Sequence, residues 1–346
     1  MNAIRQSWLD NLGLEMPTTP EEQLEVAKAF TFQDPDGNGK DDTWGMSGMK
    51  GLGRMNFCFN PFGIIYGYDD WTVVDGKVTP MIVQDGMKDA LAYIKECYDA
   101  GVIDPDSFVQ DGTKQWEKVR QGTYGIFEMY ANGVLNVAMP AMKALDETVN
   151  LKLIYPPVKG PDGTQIMRTA DRANSGLFAA PVTNEHPEAF AQIFQWLLEG
   201  NADTVNFGNQ EGVSYHQIGQ FQWEVGRQSD PTWYRMNYRL MYSISSHAAS
   251  DQGVYDFWQT MYEHGITTPD YPLFIKAEIE YGVANDYFIK SKIAIDKMPE
   301  LQTYFDELAM DIVLGKKPID AFDGWVEFFY ANGGEEIIED ATKLNM

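Results

Sequence analysis

The chain has 346 residues, more than a single hydrophobic core usually serves, so two lobes or domains are expected. With 44% apolar and 22% charged residues and a mean hydropathy of -0.35, it is globular, neither disordered nor built to span a bilayer. A net charge of -25 excludes nucleic acid as the default partner, while 13% aromatic residues suit ligands that stack on ring faces, sugars among them.

In chain order, Met1-Asn-Ala-Ile-Arg-Gln-Ser-Trp8 has no charged start followed by an apolar run, so no signal peptide is read in this chain. Thr19-Pro20-Glu21-Glu22 reads as N-cap, N1 proline and N3 glutamate, predicting a helix through Phe30. The Gly- and aromatic-rich stretch Trp44–Trp71 predicts turns with strand-like pieces at Met55–Phe59 and Gly63–Tyr68. Met87, Leu91, Ile94 and Tyr98 share one face of a helix that stops at Gly101. A short helix at Trp116–Val119 ends at Gly122. Tyr124–Tyr130 reads as a strand leading to a turn at Gly133 and another helix, which is α/β alternation. Leu151–Tyr155 and Leu177–Ala180 read as further strands. Phe190, Ile193, Phe194, Leu197 and Leu198 follow His186-Pro187 at helical spacing. Helices are expected at Asp251–His264, Met298–Leu314, Pro318–Asn332 and Glu335–Leu344. Cys58 and Cys97 form neither a disulfide framework nor a metal spacing and read as buried thiols.

The segment Asp34–Asp42 places oxygen side chains at positions 1, 3, 5 and 9 of a tight loop, with Gly39 at position 6. That is the front of an EF-hand, where Asp34, Asp36, Asn38 and Asp42, with the Lys40 carbonyl, supply the oxygens that Ca2+ requires. Position 12 is Gly45 in place of the bidentate Glu, so Thr43, water or a distant residue must complete the set and binding is expected to be weakened.

Three stretches carry a family resemblance: Ile4–Glu22 continuing into the Asp34–Asp42 loop; His186–Leu198 with Asn209-Gln-Glu-Gly-Val-Ser-Tyr215; and Ile312–Asp323 with Asn332-Gly-Gly-Glu-Glu-Ile-Ile338. Together they resemble the extracellular solute-binding proteins of bacterial ABC transporters, in the lipoprotein group that serves oligosaccharide importers. The resemblance implies an α/β, periplasmic-binding-protein-like (type II) fold with a helix-rich second lobe. It implies a cell-surface lipoprotein that delivers an oligosaccharide, or another small neutral solute, to ABC transporter permease subunits. The family's signal peptide, lipid-modified cysteine and most of its first lobe are not found in this sequence. The expected organisation is therefore residues 1–150 as second-lobe α/β part with the calcium loop, 151–200 as hinge strand and helix of a truncated first lobe, and 201–346 as helical remainder of the second lobe.

Within that frame the expected ligand-binding residues are Trp44, which follows the calcium loop; Phe127, Glu128, Tyr130 and Asn132, beyond the carboxyl end of a strand; Arg168, Asp171 and Asn174, before the hinge crossing; and Tyr215 in the Glu-Gly-Val-Ser-Tyr turn. Core packing competes for the aromatic residues, and a solvated ion-pair cluster for Arg168 and Asp171. No HExxH pair, Gly-x-Ser-x-Gly elbow, P-loop or GxGxxG fingerprint is present, so binding is expected rather than catalysis. A truncated remnant that presents a surface to a partner is the alternative, and a glycan-active enzyme the more distant one.

Overall fold

A computed structural model of the chain describes residues 1–67, 70–168, 182–196, 217–219, 222–223, 268–283 and 292–345, with isolated helical positions 252, 255, 256, 259 and 262. It divides into two compact units, Met1–Thr169 with Glu280–Met346, and Ala170–Ile279. The expected boundaries at 150 and 200 shift accordingly. Residues 151–169 stay with the first unit because Leu151–Leu153 pairs directly with the strand at the chain's start, and 201–279 group with the second unit.

The first unit is built on a four-stranded mixed sheet of β1 (Asn2–Arg5), β2 (Trp44–Met46), β5 (Tyr124–Glu128) and β6 (Leu151–Leu153), in the order β2-β5-β1-β6. β1 is antiparallel to both neighbours and β2 is parallel to β5, so β2, β5 and β6 all end on one edge. Between them in sequence, β3 (Trp71–Val74) and β4 (Lys77–Pro80) form a separate hairpin.

Helix α1 (Gln6–Leu12) follows β1, and α2 (Pro20–Phe32) starts at its predicted cap, where Thr19 Oγ1 accepts from the Glu22 amide at 3.3 Å. Glu22 reaches one residue further back than expected, accepting from Thr18 N at 2.8 Å and Thr18 Oγ1 at 2.6 Å. α2 lies directly on the sheet because two glycines admit it. A Cβ on Gly45 would stand 2.3 Å from the Ala27 carbonyl oxygen, and one on Gly125 would stand 2.1 Å from the Phe30 ring.

Met55–Phe59, expected as a strand, is instead helix α3 (Asn56–Phe59) running into a 3-10 turn at Asn60–Phe62. All of Met55–Pro61 is buried, so its alternating large residues mark no solvent face and carry no strand period. α4 (Asp85–Asp99) buries Met87, Ala90, Leu91, Ile94 and Cys97 along one stripe, and Gly101 turns left-handed after it at φ +70°. Cys97 and Cys58 are both fully buried free thiols.

α5 (Gly112–Arg120) is capped by Asp111, whose carboxylate accepts from the Thr113 and Lys114 amides at 2.9 Å each. Gly133 is not a turn: at φ -64° it lies within helical residues 131–143.

In the second unit, α6 (Pro187–Trp196) leaves Ile193 58% exposed, whereas Phe190 and Phe194 contribute no described side chain. α7 (Asp270–Tyr281) leads back to the first unit, where α8 (Lys292–Val313), α9 (Ala321–Phe329) and α10 (Glu335–Asn345) close the core around Phe305, Leu308, Ile312, Trp325 and Ile337. The expected strand Leu177–Ala180, residues Leu197 and Leu198, and most of Asp251–His264 lie outside the described residues. Among the described residues no helix is long and apolar enough to cross a membrane.

Candidate functional site

The shared carboxyl edge of β2, β5 and β6 is where an open α/β sheet leaves loops free to converge. Glu128 ends β5 there. Its carboxylate accepts from the Asn56 amide at 2.8 Å and from Asn56 Nδ2 at 3.1 and 3.2 Å. Asn56, itself buried, also accepts from Tyr66 N through Oδ1 at 2.7 Å and donates from Nδ2 to Tyr66 O at 3.0 Å. Glu128 thus fixes residues 56–66 rather than standing free.

From that segment the Tyr66 hydroxyl donates to Asp306 Oδ1 at 3.2 Å, and Gln302 Nε2 reaches the same oxygen at 2.8 Å. Burial raises the Asp306 carboxyl above its usual value, outweighing the two hydrogen bonds that favour its charge. A small recess, with room for about one water molecule, is lined here by Tyr66, Gly67, Asp70, Trp71 and Gln302 among others. Asp70, at its rim, holds Arg168 by an ion pair of 3.2 Å, in which Asp70 is buried and the Arg168 side chain 41% exposed.

Tyr130, two residues beyond β5, is 77% exposed, and the Arg54 guanidinium carbon lies 5.9 Å from its ring centroid. Arg54 Nη1 donates to Gln115 Oε1 at 2.9 Å.

The expected residues therefore separate. Glu128, Tyr130 and Arg168 lie at or near this edge. Phe127, on the same strand, is fully buried and is a core residue, because β5 is covered on both faces up to Glu128. Trp44 is half-buried and pairs in register with Tyr124 at the amino ends of β2 and β5, so it sits at the opposite edge from Glu128. The side chain of Asn132, and Asp171, Asn174 and Tyr215 entirely, lie outside the described residues. Sequence reasoning missed Arg54, Asn56, Tyr66 and Asp70. A cation inside Gly51-Leu-Gly-Arg54 was a usable signal for the first; nothing local marks Asn56, whose partner is 72 residues away.

The Asp34–Asp42 loop is closed by its own side chains. Asp34 accepts from the amides of Asn38 and Gly39 at 3.0 Å each, and Asn38 Nδ2 donates to Asp36 Oδ2 at 2.9 Å and to Asp42 Oδ1 at 3.1 Å. The Lys40 amide donates to Asn38 Oδ1 at 2.8 Å. Burial, and then the nearby Asp34 and Asp42, keep Asp36 above its ordinary value despite the bond from the Asn38 amide. Among the described residues no group of three or more His, Cys, Asp or Glu stands as a ready-made metal centre. The donor chemistry nevertheless suits a hard cation, since the Asn38 amide protons occupy the place where the Asp36 and Asp42 carboxylates converge.

No described protein family's sequence profile matches the chain. It is 29% identical over 97% of its length to the polygalacturonan/rhamnogalacturonan-binding protein YtcQ of Bacillus subtilis (strain 168), covering 66% of that protein. It is 26% identical over 99% of its length to lipoprotein LipO of the same organism, covering 68%. Over 36% of its length it is 35% identical to the fructooligosaccharide ABC transporter substrate-binding protein FusA of Streptococcus pneumoniae, covering 24% of that protein. The chain thus spans about two thirds of the length of the first two relatives.

Among solved structures, the alginate-binding protein AlgQ2 without calcium ion superposes at TM-score 0.66 and 17% identity, over 99% of this chain and 71% of that one. An HMO binding solute-binding protein of Bifidobacterium longum infantis superposes at TM-score 0.67 and 15% identity, over 99% and 72%. The fold is periplasmic-binding-protein-like, and the relatives with a named role are binding proteins, not enzymes.

Proposed function

We propose that this chain, a homologue of the substrate-binding proteins of bacterial ABC transporters, holds an oligosaccharide at the carboxyl edge of its sheet and does no chemistry on it. The observation that carries the reading is that edge itself. The exposed Tyr130 ring, the fixed Arg54 guanidinium and the Asp70–Arg168 pair offer the ring face and hydrogen-bonding groups by which sugars are held. The neighbouring carboxylates of Glu128 and Asp306 are committed to hydrogen bonds. Relatives named for polygalacturonan, rhamnogalacturonan and fructooligosaccharide support a carbohydrate ligand, and their naming as lipoprotein and ABC transporter component supports an extracellular place of work with permease subunits as partners.

Ca2+ belongs to the same proposal. Asp34, Asp36, Asn38 and Asp42, with the Lys40 carbonyl, would hold it, and it would supply charge neutralisation to a loop with four carboxylates in nine residues. The loop joins α2 to β2. Beyond it, Thr43 Oγ1 donates to Phe30 O at 2.8 Å and the Trp44 amide to Thr123 O at 2.9 Å, so the far end of the loop is tied to α2 and to the residue before β5.

Titration of the intrinsic tryptophan fluorescence with a panel of oligosaccharides, with parallel product analysis, tests the reading. Saturable quenching with every glycan recovered intact is expected. Cleavage of a glycosidic bond, or no response to any oligosaccharide, would overturn it.

A further inference from the structure

The chain carries 51 acidic against 26 basic residues, and several of its described cations have a carboxylate partner, as in Lys28–Glu25, Lys88–Asp323, Lys118–Asp104 and Arg168–Asp70. Arg54 has none. It is half-buried, yet among the described residues no carboxylate stands within ion-pair distance of it. It is also held still. Nη1 donates to Gln115 Oε1 at 2.9 Å and, weakly, to Gly112 O at 3.5 Å; Gln115 is fully buried and anchored by its Nε2 on Ser47 Oγ at 3.1 Å.

Nη2 and Nε make no hydrogen bond among the described residues. Those two atoms form the side of a guanidinium that meets both oxygens of a carboxylate at once. The backbone is bent to present this side chain. Leu52 at φ +59° and Arg54 at φ +57° are in the left-handed region that side chains avoid, within a loop closed by Met49 N to Gly53 O at 2.9 Å and Gly53 N to Met49 O at 3.1 Å. Beside it stands the Tyr130 ring, largely exposed, a platform for the C–H face of a pyranose. The acids adjacent in the fold are spoken for: Glu128 by Asn56, and Asp111 by the amides of Thr113 and Lys114.

We infer that Arg54 and Tyr130 form a subsite for a sugar carboxylate, so that the oligosaccharide held here contains uronic acid units. The inference rests on the carbohydrate-binding reading above and departs from the small neutral solute that the family resemblance implied, which the net charge would also favour. The sum of -25 acts at a distance and is screened beyond about 8 Å at physiological salt, whereas a bidentate contact acts at about 3 Å. Local geometry therefore decides.

Calorimetric titration of the whole chain with trigalacturonate and with its fully methyl-esterified form separates charge from ring skeleton. The acid is expected to bind about ten-fold more tightly than the ester. Arg54→Gln should bring the acid down to the ester's level without moving the ester, Arg54→Lys should recover part of the loss, and Tyr130→Ala should weaken both. Raising salt should weaken only the acid, a readout that needs no variant to fold. Ester binding as tight as acid binding, or an acid preference untouched by Arg54→Gln in a folded variant, would overturn the subsite. If the ester or a neutral fructan binds and the acid does not, the subsite is wrong and carbohydrate binding stands. If no oligosaccharide binds, both readings fall.

Discussion

Asn56 satisfies three groups at once: the Glu128 carboxylate by its side chain and its own amide, and the Tyr66 N–H and carbonyl by its side chain. Asn56→Ala leaves a carboxylate and two backbone groups short of partners in a buried place, and should cost about 2–4 kcal/mol in urea unfolding. A loss under about 0.5 kcal/mol would mean that water replaces it freely.

Asp36 has its folded value raised, so its protonated form favours the fold. Its contribution is complete below the unfolded carboxylate value and is lost as pH rises through the folded one. In chelator at neutral pH, Asp36→Asn should therefore raise Tm, by roughly 1–2 °C for a chain of this size, whereas in calcium it should lower Tm. The same sign in both conditions would remove the loop from consideration as a cation site.

Among the elements, α2 was legible because its signals are local: Thr19, Pro20 and Glu22 act within one turn. β1 was not, since four residues at the centre of the sheet owe their place to pairing with 126–128 and 151–153. Glu128 and Tyr130 could be placed from the end of their strand, but Arg54 acquires meaning only once α5 brings Gln115 to it.

α5 also supplies Lys118, which bridges Asp104 at 2.6 Å and Asp106 at 2.7 Å, while the Tyr124 hydroxyl donates to Asp104 at 2.5 Å. Burial alone would lower Lys118, but its two carboxylate partners prevail and raise it. The bridge is accordingly complete at neutral pH and is lost as pH climbs through the raised lysine value. Lys118→Met should cost about 2–4 kcal/mol by stranding the buried Asp104, and adding Asp104→Asn should return much of it. Additive losses in that double variant would show that the residues act separately.

At the scale of the molecule, the first unit is assembled from both ends of the chain. Trp325 in α9 is fully buried and donates from Nε1 to Ile82 O at 2.8 Å, and Val78 N donates to Thr342 Oγ1 at 2.9 Å. These contacts span 243 and 264 residues, which is why periodicity found the helices but not their partners. Trp325→Ala should cost about 3–5 kcal/mol, combining lost burial with a carbonyl left unpaired. Chemical unfolding followed by near-ultraviolet circular dichroism reads it. A cost near that of an exposed substitution would mean that the two ends are not one cooperative body.

The two glycine contacts that seat α2 on the sheet reach further than packing. Because Gly45 lies against Ala27 and Gly125 against Phe30, the end of α2 and the start of β2 cannot drift apart, and Thr31 Oγ1 locks them further by accepting the Gly45 amide at 2.8 Å. The acidic loop is thus a span between two fixed piers. A cation there has no piers to draw together, and its influence is insulated within the span. Amide hydrogen exchange should accordingly slow at 36–43 when calcium is added, and remain unchanged at Phe30 and Met46. Slowing at those two positions would mean that the piers themselves breathe.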